Sequence, residues 1–369
     1  MSPSRRLAIV VVLYNMRREA PRTLYTLSAD YQLDVRTDDY DVIVVDNGSA
    51  ERMSSDEVKP FGPNFHYHYV ENALPSPAAA INLGVTRSRA QHVGVMIDGA
   101  RMASPGIVRL ALKALDAFER PVVGTVAFHI GPDQQPRSVM YGYGREAEDE
   151  LLARIDWRRN GYRLFDISTV ANSSSPGRLG KIADRIAPPV TAAARTSAAH
   201  VAETMRAFAS LLESNLIFMP AALFHELRGY DERFDLPGGG LVNLDFYRRA
   251  ADLPNTTLVT LSGEATFHQV HGGTMTNTPV PSGVEEIRKY ETQFEAIRGV
   301  PFEPSRRVAL VVGWPSPARR GQDDGCGGLE RHVDPSSVHI KLLTFMMGSM
   351  RRLLRPIRRR SAHAVGCPR

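Results

Sequence analysis

The sequence predicts an α/β protein with a doubly wound, mostly parallel central sheet and helices on both faces. Continuous apolar, β-branched runs such as Leu7–Leu13 are typical of strands buried on both faces of a parallel sheet. Helix-forming stretches alternate with these runs. Polar residues directly follow three of the strands, at 14–15, 46–49 and 98–101. These strand ends therefore share one edge, where open α/β sheets bind ligands.

The first hundred residues carry the clearest alternation. In order, the predicted elements are a strand over 7–13, a helix over 18–30, strands over 41–45 and 65–70, a helix over 77–89 and a strand over 93–97. The 77–89 helix is rich in small residues that allow close approach to the sheet. Because parallel connections are almost always right-handed, this order predicts the doubly wound arrangement.

Asp98 follows the 93–97 strand, and a helix start follows Asp98, with Ser104 as the predicted N-cap and Pro105 at the first helical position. Asp98 is therefore expected to point into the crevice, where a carboxylate can hold a cation against a phosphate. The alternative is an aspartate that only begins a turn.

The pattern weakens between residues 131 and 210. This stretch is interpreted as an irregular insertion, which either carries acceptor-binding loops or is a plain surface excursion. The other predicted elements are a helix over 105–118, strands over 122–128, 215–219 and 257–261, a short helix over 221–227 and a helix carrying Asp245.

Charge is unevenly distributed along the 369 residues. Residues 303–369 hold 13 lysines and arginines against 5 aspartates and glutamates, which leaves 32 against 35 in residues 1–302. A slightly acidic body argues against nucleic acid as a partner, since phosphate backbones need a clustered basic face. The two cysteines, Cys326 and Cys367, have neither metal-ligand nor disulfide-framework spacing.

Three segments are expected: a main domain over 1–302, a disordered linker rich in Pro, Gly, Ser and Arg over 303–337, and a basic amphipathic helix or tail over 338–369. Such a helix can lie on an anionic membrane surface. The alternatives are a helix that docks on the main domain and a tail with no role.

The sequence predicts a cytoplasmic protein. The apolar run Leu7–Leu13 passes into Tyr14-Asn15 without a small-residue cleavage site, so it is interpreted as a strand rather than a secretion signal. The sequence contains no run of about 18 apolar residues, so it predicts no membrane-spanning helix. Contact with the membrane is expected only at its inner face, through the basic tail.

Several motifs resemble those of family 2 glycosyltransferases with the GT-A fold. They are Val12-Leu13-Tyr14-Asn15, Asp46-Asn47-Gly48-Ser49, Asn82-Leu83-Gly84 before Ile97-Asp98, and Gly229-Tyr230-Asp231-Glu232-Arg233-Phe234. The resemblance covers about residues 5–275 and depends on the order and spacing of the motifs. It implies a sugar-nucleotide donor lying across the carboxyl edge of the sheet, and a glycan or lipid-linked acceptor.

The resemblance assigns donor binding to Tyr14, Asn15 and Asp46. Asp46 would accept a hydrogen bond from the base, and a carboxylate that reads an imide N–H favours uracil or thymine. The alternatives are that Asp46 shapes its own turn and that Tyr14 is a packed aromatic.

Asp98 takes the place of the first acid in the family's Asp-X-Asp motif, which binds Mg²⁺ or Mn²⁺ on the diphosphate. The motif is degenerate, because Ala100 stands where the second acid is expected. Either His268 or His271 completes the coordination, which suits Mn²⁺ better than Mg²⁺, or Arg101 offsets the diphosphate charge directly. The sequence favours a metal held by Asp98 and His268.

The family's catalytic base lies in a Glu-Asp pair shortly before another aspartate. Counting back from Asp245, those places hold Val242 and Asn243, and an asparagine cannot act as the base. Asp245 is then the nearest candidate for the catalytic base. Asp231, Glu232 and Glu264 are the other candidates. If Asp245 points into the core it is structural.

The predicted activity is transfer of one sugar from a nucleoside diphosphate donor to a hydroxyl, inverting and metal-assisted. Two alternatives stay open. One is a non-catalytic relative that binds a sugar nucleotide or glycan. The other is a nucleotidyltransferase, which the sequence favours less because the first strand–helix turn has no Gly-rich, basic phosphate loop.

Overall fold

A computed structural model describes residues 5–171, 211–273 and 280–313. The strands are β1 (Leu7–Leu13), β2 (Tyr40–Asp46), β3 (Phe65–Tyr69), β4 (His92–Met96), β5 (Arg101–Ala103), β6 (Pro121–Ile130), β7 (Ser168–Val170), β8 (Leu216–Pro220), β9 (Thr257–His268) and β10 (Leu310–Gly313). The α-helices are α1 (Ala20–Thr26), α2 (Ser55–Val58), α3 (Ala78–Arg87), α4 (Ile107–Ala117), α5 (Gln135–Ser138), α6 (Arg145–Ala153), α7 (Ala221–Glu226), α8 (Val242–Asp252) and α9 (Val280–Arg298).

One sheet runs through the described chain in the order β10-β9-β6-β8-β4-β1-β2-β3, with β5 beside β9 and β7 beside β6. Strands β1 to β4 pair in parallel, and β6, β9 and β10 pair in parallel with one another. The antiparallel strand β8 separates the two groups. The predicted α/β class with a mostly parallel central sheet is confirmed.

Strand β1 shows why this sheet is buried on both sides. Ala8, Val10 and Val12 enter one apolar cluster, with α3, α7 and α8. The residues that alternate with them enter another cluster, with α1 and α4. Successive side chains of a strand point to opposite faces, so a continuous apolar run requires helices on both.

Helix α3 lies close to the sheet because of its small residues. A Cβ at Gly84 would collide with the side chain of Val10. The predicted close approach of the 77–89 helix is therefore confirmed, with the helix itself running from Ala78 to Arg87.

The start of α4 differs from the prediction. Gly106 is the N-cap, and the predicted cap at Ser104 is wrong. The Ser104 hydroxyl instead donates to Glu264 Oε2 (2.7 Å) and accepts from the Ala265 backbone N–H (2.9 Å). Residues 101–103 form β5, which pairs with β9 before the helix begins.

Much of the predicted insertion and tail lies outside the described residues, namely 172–210 and 314–369. The first part of the predicted linker is described: β10 pairs in parallel with β9, and Arg307 Nη1 donates to the Ala251 carbonyl (2.7 Å). Within the described residues, no helix has both the length and the apolar character to cross a membrane.

Candidate functional site

The carboxyl ends of β1, β2, β4 and β9 deliver the predicted site residues to one edge of the sheet. Asp98 follows β4, and His268 is the last residue of β9. In the antiparallel register of β5 and β9, residue Arg101 is opposite His268. The Gln269 N–H donates to the Ala100 carbonyl (2.8 Å). Residues 98 and 268 are thus brought together by the short strand β5.

Asp98, His268 and His271 form a cluster, called here the Asp–His–His cluster. One ligand atom from each lies within 4.8 Å of the others. His268 Nε2 is 3.5 Å from Asp98 Oδ2 and 3.1 Å from His271 Nε2. All three residues predicted as metal ligands therefore meet at one point.

The Asp98 carboxylate has two further contacts. Oδ1 accepts the Ala100 backbone N–H (2.8 Å), and Oδ2 accepts Arg101 Nε–H (2.9 Å). The turn expected as the alternative role of Asp98 is thus formed at the same time as the cluster. Arg101 is buried, and its Nη1 is a buried atom with no hydrogen-bond partner among the described residues.

Gln135 fixes which nitrogen of His268 can bind a cation. The Gln135 amide N–H₂ donates to the His268 carbonyl (2.9 Å), which turns the amide oxygen toward His268 Nδ1 (2.5 Å). His268 Nδ1 must then carry the proton and donate it. The lone pair of Nε2 is left facing Asp98 and His271, as metal-ligating histidines require.

The electrostatics keep both histidines neutral and the carboxylate charged. Burial and the nearby Arg101 charge lower the pKa of His268 to about 3, against the opposing effect of Asp98. Burial also lowers the pKa of His271. Burial alone would raise the pKa of Asp98, but the Arg101 guanidinium holds it well below its usual value.

This donor set fits a divalent cation. Metal binding needs a deprotonated carboxylate and neutral imidazoles, and the cluster offers both. Two imidazoles with one carboxylate suit Mn²⁺, Zn²⁺ or Fe²⁺ better than Mg²⁺, which prefers oxygen ligands. The Arg101 guanidinium shares Asp98 Oδ2, so it competes with a cation for that oxygen.

Tyr14 and Asn15 lie in the loop after β1. The Tyr14 ring is 56% exposed, so it is not the packed aromatic of the alternative interpretation. Asn15 has a left-handed backbone (φ 52°), which asparagine tolerates. Its N–H donates to Ser49 Oγ (2.8 Å) and its Oδ1 accepts from the Ala50 N–H (2.9 Å), which ties the loops after β1 and β2 together.

Asp46 has the turn-forming role that was its alternative. Its Oδ1 accepts the Ser49 backbone N–H (2.8 Å), and its Oδ2 accepts the Tyr67 hydroxyl (3.1 Å). The residue is 1% exposed. A base N–H could reach this carboxylate only by sharing or displacing the Tyr67 contact.

Asp245 occupies the structural position foreseen as its alternative. It is 2% exposed on α8. Arg298 donates to both of its oxygens (2.7 Å each), and Arg249 Nε also donates to Oδ2 (2.7 Å). Two guanidiniums thus engage both oxygens of a buried carboxylate, so this arrangement does not favour Asp245 as the base that contacts an acceptor.

Sequence reasoning missed the two residues that brace the histidine-bearing end of β9. Gln135 holds His268, and Glu148 on α6 accepts the Val270 backbone N–H (2.7 Å) between the two histidines. Both lie in the irregular 131–210 stretch. Gln135 precedes a proline, and Glu148 lies in a helix whose sequence is mostly polar. Neither local pattern indicates such contacts.

The family model described as "Glycosyl transferase family 2" matches residues 8–186. The resemblance that the motifs predicted is confirmed over that segment. A search among curated proteins found no match to the sequence.

Three solved structures are similar to the chain at low identity. S. aureus TarS has a TM-score of 0.44 and 13% identity, covering 79% of this chain and 40% of its own. TarS 1-349 in complex with UDP has a TM-score of 0.43 and 14% identity, covering 79% and 65%. TarS 1-349 in complex with UDP-GlcNAc has a TM-score of 0.45 and 14% identity, covering 79% and 66%. This chain thus spans 40–66% of the length of these structures.

Proposed function

Residues 8–186 form a glycosyl transferase family 2 segment, and from this premise we propose that the protein is an inverting, metal-assisted glycosyltransferase. It transfers one sugar from a nucleoside diphosphate donor, with UDP or dTDP favoured, to a hydroxyl of a glycan or lipid-linked acceptor. The observation that carries the proposal is the Asp–His–His cluster at the carboxyl edge of the sheet. That edge is where the family's donor diphosphate is expected.

Each site residue has a role in this proposal. Asp98, His268 and His271 hold a divalent cation, with Mn²⁺ favoured over Mg²⁺ by the two imidazoles. When bound, the cation offsets the negative charge that develops on the leaving diphosphate. Arg101, whose Nε donates to Asp98, adds a positive charge beside the diphosphate. Tyr14 offers an exposed ring to the nucleoside base, and Asn15 shapes the loop beside it.

Acceptors of this kind suggest a place in polysaccharide biosynthesis for the cell envelope. The basic tail, residues 338–369, would bring the protein to the inner face of the membrane, where a lipid-linked acceptor lies. The support for this location is the amphipathic pattern of the tail alone, which lies outside the described residues.

A second candidate function is sugar-nucleotide or glycan binding without transfer. Two observations favour it: Ala100 and Asn243 stand where the family has acids, and Asp245 is held by Arg249 and Arg298. A nucleotidyltransferase has no comparable support, because the loop after β1 carries no Gly-rich phosphate cradle.

The test is Asp98→Ala, assayed with a panel of UDP- and dTDP-sugars and Mn²⁺. We expect wild type to bind Mn²⁺ and a donor by calorimetry and to release the nucleoside diphosphate. The variant is expected to lose Mn²⁺ binding and about 10²–10³-fold in turnover, the scale of one lost electrostatic contact to the leaving group.

Asp116→Ala is the matched control, since Asp116 is an exposed acid on α4 that pairs with Arg6. Thermal unfolding of both variants checks that the fold is intact. Unchanged turnover in Asp98→Ala would remove the metal role. Donor binding by wild type without turnover of any donor or acceptor would favour the second candidate function.

A further inference from the structure

Asn243 stands where the family's catalytic base is expected, and the structure places a different carboxylate against it. Asn243 Nδ2 donates to Glu213 Oε2 at 2.7 Å. Tyr230 donates its hydroxyl to Asn243 Oδ1 (3.3 Å), so the amide is oriented with its N–H₂ toward Glu213. The acid absent from position 243 is thus replaced in space by one that is 30 residues earlier in the chain.

Glu213 lies at the same end of the β4–β8 pair as the Asp–His–His cluster. In the antiparallel register Met96 is opposite Leu216, and the Ile97 N–H donates to the Asn215 carbonyl (3.4 Å). Asp98 comes one residue after Ile97, and Glu213 comes two residues before Asn215. The two carboxylates therefore leave neighbouring strands at one edge of the sheet.

Asn243 and Glu213 are chemically matched. An aspartate at position 243 would put two negative charges within hydrogen-bond distance, and one of them would have to take up a proton. An asparagine instead donates a hydrogen bond to the Glu213 carboxylate and orients it. Glu213 is only partly buried, so its carboxylate can reach a substrate.

The other acids that the sequence offered as the base are held by the protein, including Glu232, which accepts from Asn82 Nδ2 (2.8 Å). Asp231 pairs with Arg233 and Arg298. Glu264 is buried and accepts hydrogen bonds from Ser104 and Tyr162. With Asp245 also held between two arginines, Glu213 is the carboxylate best placed to act on an acceptor.

We propose that Glu213 is the general base of the transfer reaction, oriented by Asn243. This inference rests on the glycosyltransferase function proposed above. Glu213 takes the proton from the acceptor hydroxyl, whose oxygen attacks C1 of the sugar. The C1–O bond to the diphosphate breaks and its electron pair leaves with the diphosphate, after which Glu213 releases the proton to solvent.

The test compares Glu213→Gln with wild type on the UDP- or dTDP-sugar that wild type cleaves fastest. Glutamine keeps the shape and can still accept the Asn243 hydrogen bond, but it cannot take a proton. We expect a loss of about 10²–10⁴-fold in kcat with water or a sugar hydroxyl as acceptor, and a donor Kd within about twofold of wild type.

Transfer to azide distinguishes the loss of the general base from damage to the active site. Azide is an anion that attacks C1 without giving up a proton, so it needs no base. Glu213→Gln and Glu213→Ala are expected to form glycosyl azide at the wild-type rate. Glu226→Gln, at an exposed acid on α7 paired with Arg120, is the matched control and should behave as wild type.

Three other outcomes overturn the inference. If Glu213→Gln cleaves the donor in water at a rate within threefold of the wild-type rate, Glu213 is not the base. The proposed function is not contradicted by that result. Loss of azide transfer together with hydroxyl transfer shows a structural role for Glu213. If the wild-type protein neither binds nor cleaves any donor, both the proposed function and the assignment of the base are wrong.

Discussion

At the scale of single residues, the site depends on the tautomer of one histidine. His268 is 1% exposed, and its Nδ1 donates to the Gln135 amide oxygen. His129 lies beside it and accepts the Gln135 backbone N–H at Nδ1 (3.0 Å). Gln135 therefore fixes the tautomer in which His268 offers the lone pair of Nε2 to the cluster.

Replacing Gln135 by leucine is expected to weaken Mn²⁺ binding by about 10–100-fold, the usual effect of losing the residue that orients a metal ligand. Without the amide oxygen, His268 can place its proton on Nε2, where it blocks the lone pair. Gln135→Glu keeps an acceptor for Nδ1–H but lacks the N–H₂ that donates to the His268 carbonyl, so its Mn²⁺ affinity is expected to lie between those of wild type and Gln135→Leu. Calorimetric titration with Mn²⁺ measures both.

Gln91→Leu is the matched control, since the Gln91 side chain is exposed. Equal Mn²⁺ affinity in wild type and Gln135→Leu would show that Gln135 does not orient His268 for metal binding.

At the scale of elements, helix α6 braces the end of β9. Glu148 is completely buried, accepts the Val270 N–H at Oε2 and accepts both terminal nitrogens of Arg18 at Oε1 (3.2 Å each). Burial raises the pKa of Glu148 from 4.5 to about 7, against the opposing effect of the Val270 N–H and Arg18. The segment before α1 and the segment after β9 thus meet helix α6 at one buried acid.

This pKa predicts a pH-dependent stability. Between about pH 5 and 7 the folded protein holds a proton at Glu148 that the unfolded chain has released. The free energy of unfolding therefore falls as the pH rises through this window and levels off above it. The full contribution is up to about 3 kcal/mol, at 1.36 kcal/mol per pKa unit.

Urea unfolding of wild type and Glu148→Gln from pH 5 to 8 measures the difference in slope. Glu150→Gln, at an exposed acid on the same helix paired with Arg154, is the control and should follow wild type. Parallel curves for wild type and Glu148→Gln would contradict the prediction.

At the scale of the whole molecule, the main domain continues past residue 302. Phe302 is buried in the core, Arg307 bonds to Ala251 and Thr256, and β10 extends the sheet beside β9. Residues 308–312 are a short apolar run, Val-Ala-Leu-Val-Val, between polar residues and the Gly- and Pro-rich stretch that follows. Their place is decided by the open edge of β9.

Two truncations test where the domain ends. A chain ending at Gly313 keeps β10 and Arg307 and is expected to unfold at the same temperature as the full chain. A chain ending at Pro304 loses several hydrogen bonds, each contributing about 1 kcal/mol, and should unfold about 5–10 °C lower. Equal unfolding temperatures for the two truncated chains would show that 305–313 add no stability.

The chain ending at Gly313 is also the right comparison for the tail. If residues 338–369 bind membranes, vesicles of phosphatidylcholine with phosphatidylglycerol should pellet the full chain and leave this truncated chain in solution. Co-pelleting of both chains would place any membrane contact in the main domain.

The sequence alone determined the sheet, its burial on both faces and the edge that carries the site. These follow from local patterns: β1 alternates between two apolar clusters, Asp98 follows β4, and the two histidines lie at the end of β9 and just after it. The period of side chains along a strand is fixed by the backbone, so such patterns are visible without the fold.

Only the tertiary structure decided which side chains complete the site. Gln135 reaches His268 across 133 residues, Glu213 reaches Asn243 across 30, and Asp245 is engaged by Arg298 across 53. Each contact depends on the path of an irregular segment or on the packing of one helix against another. No local residue pattern specifies these distances, because they are set by the packing of elements that lie far apart in the chain.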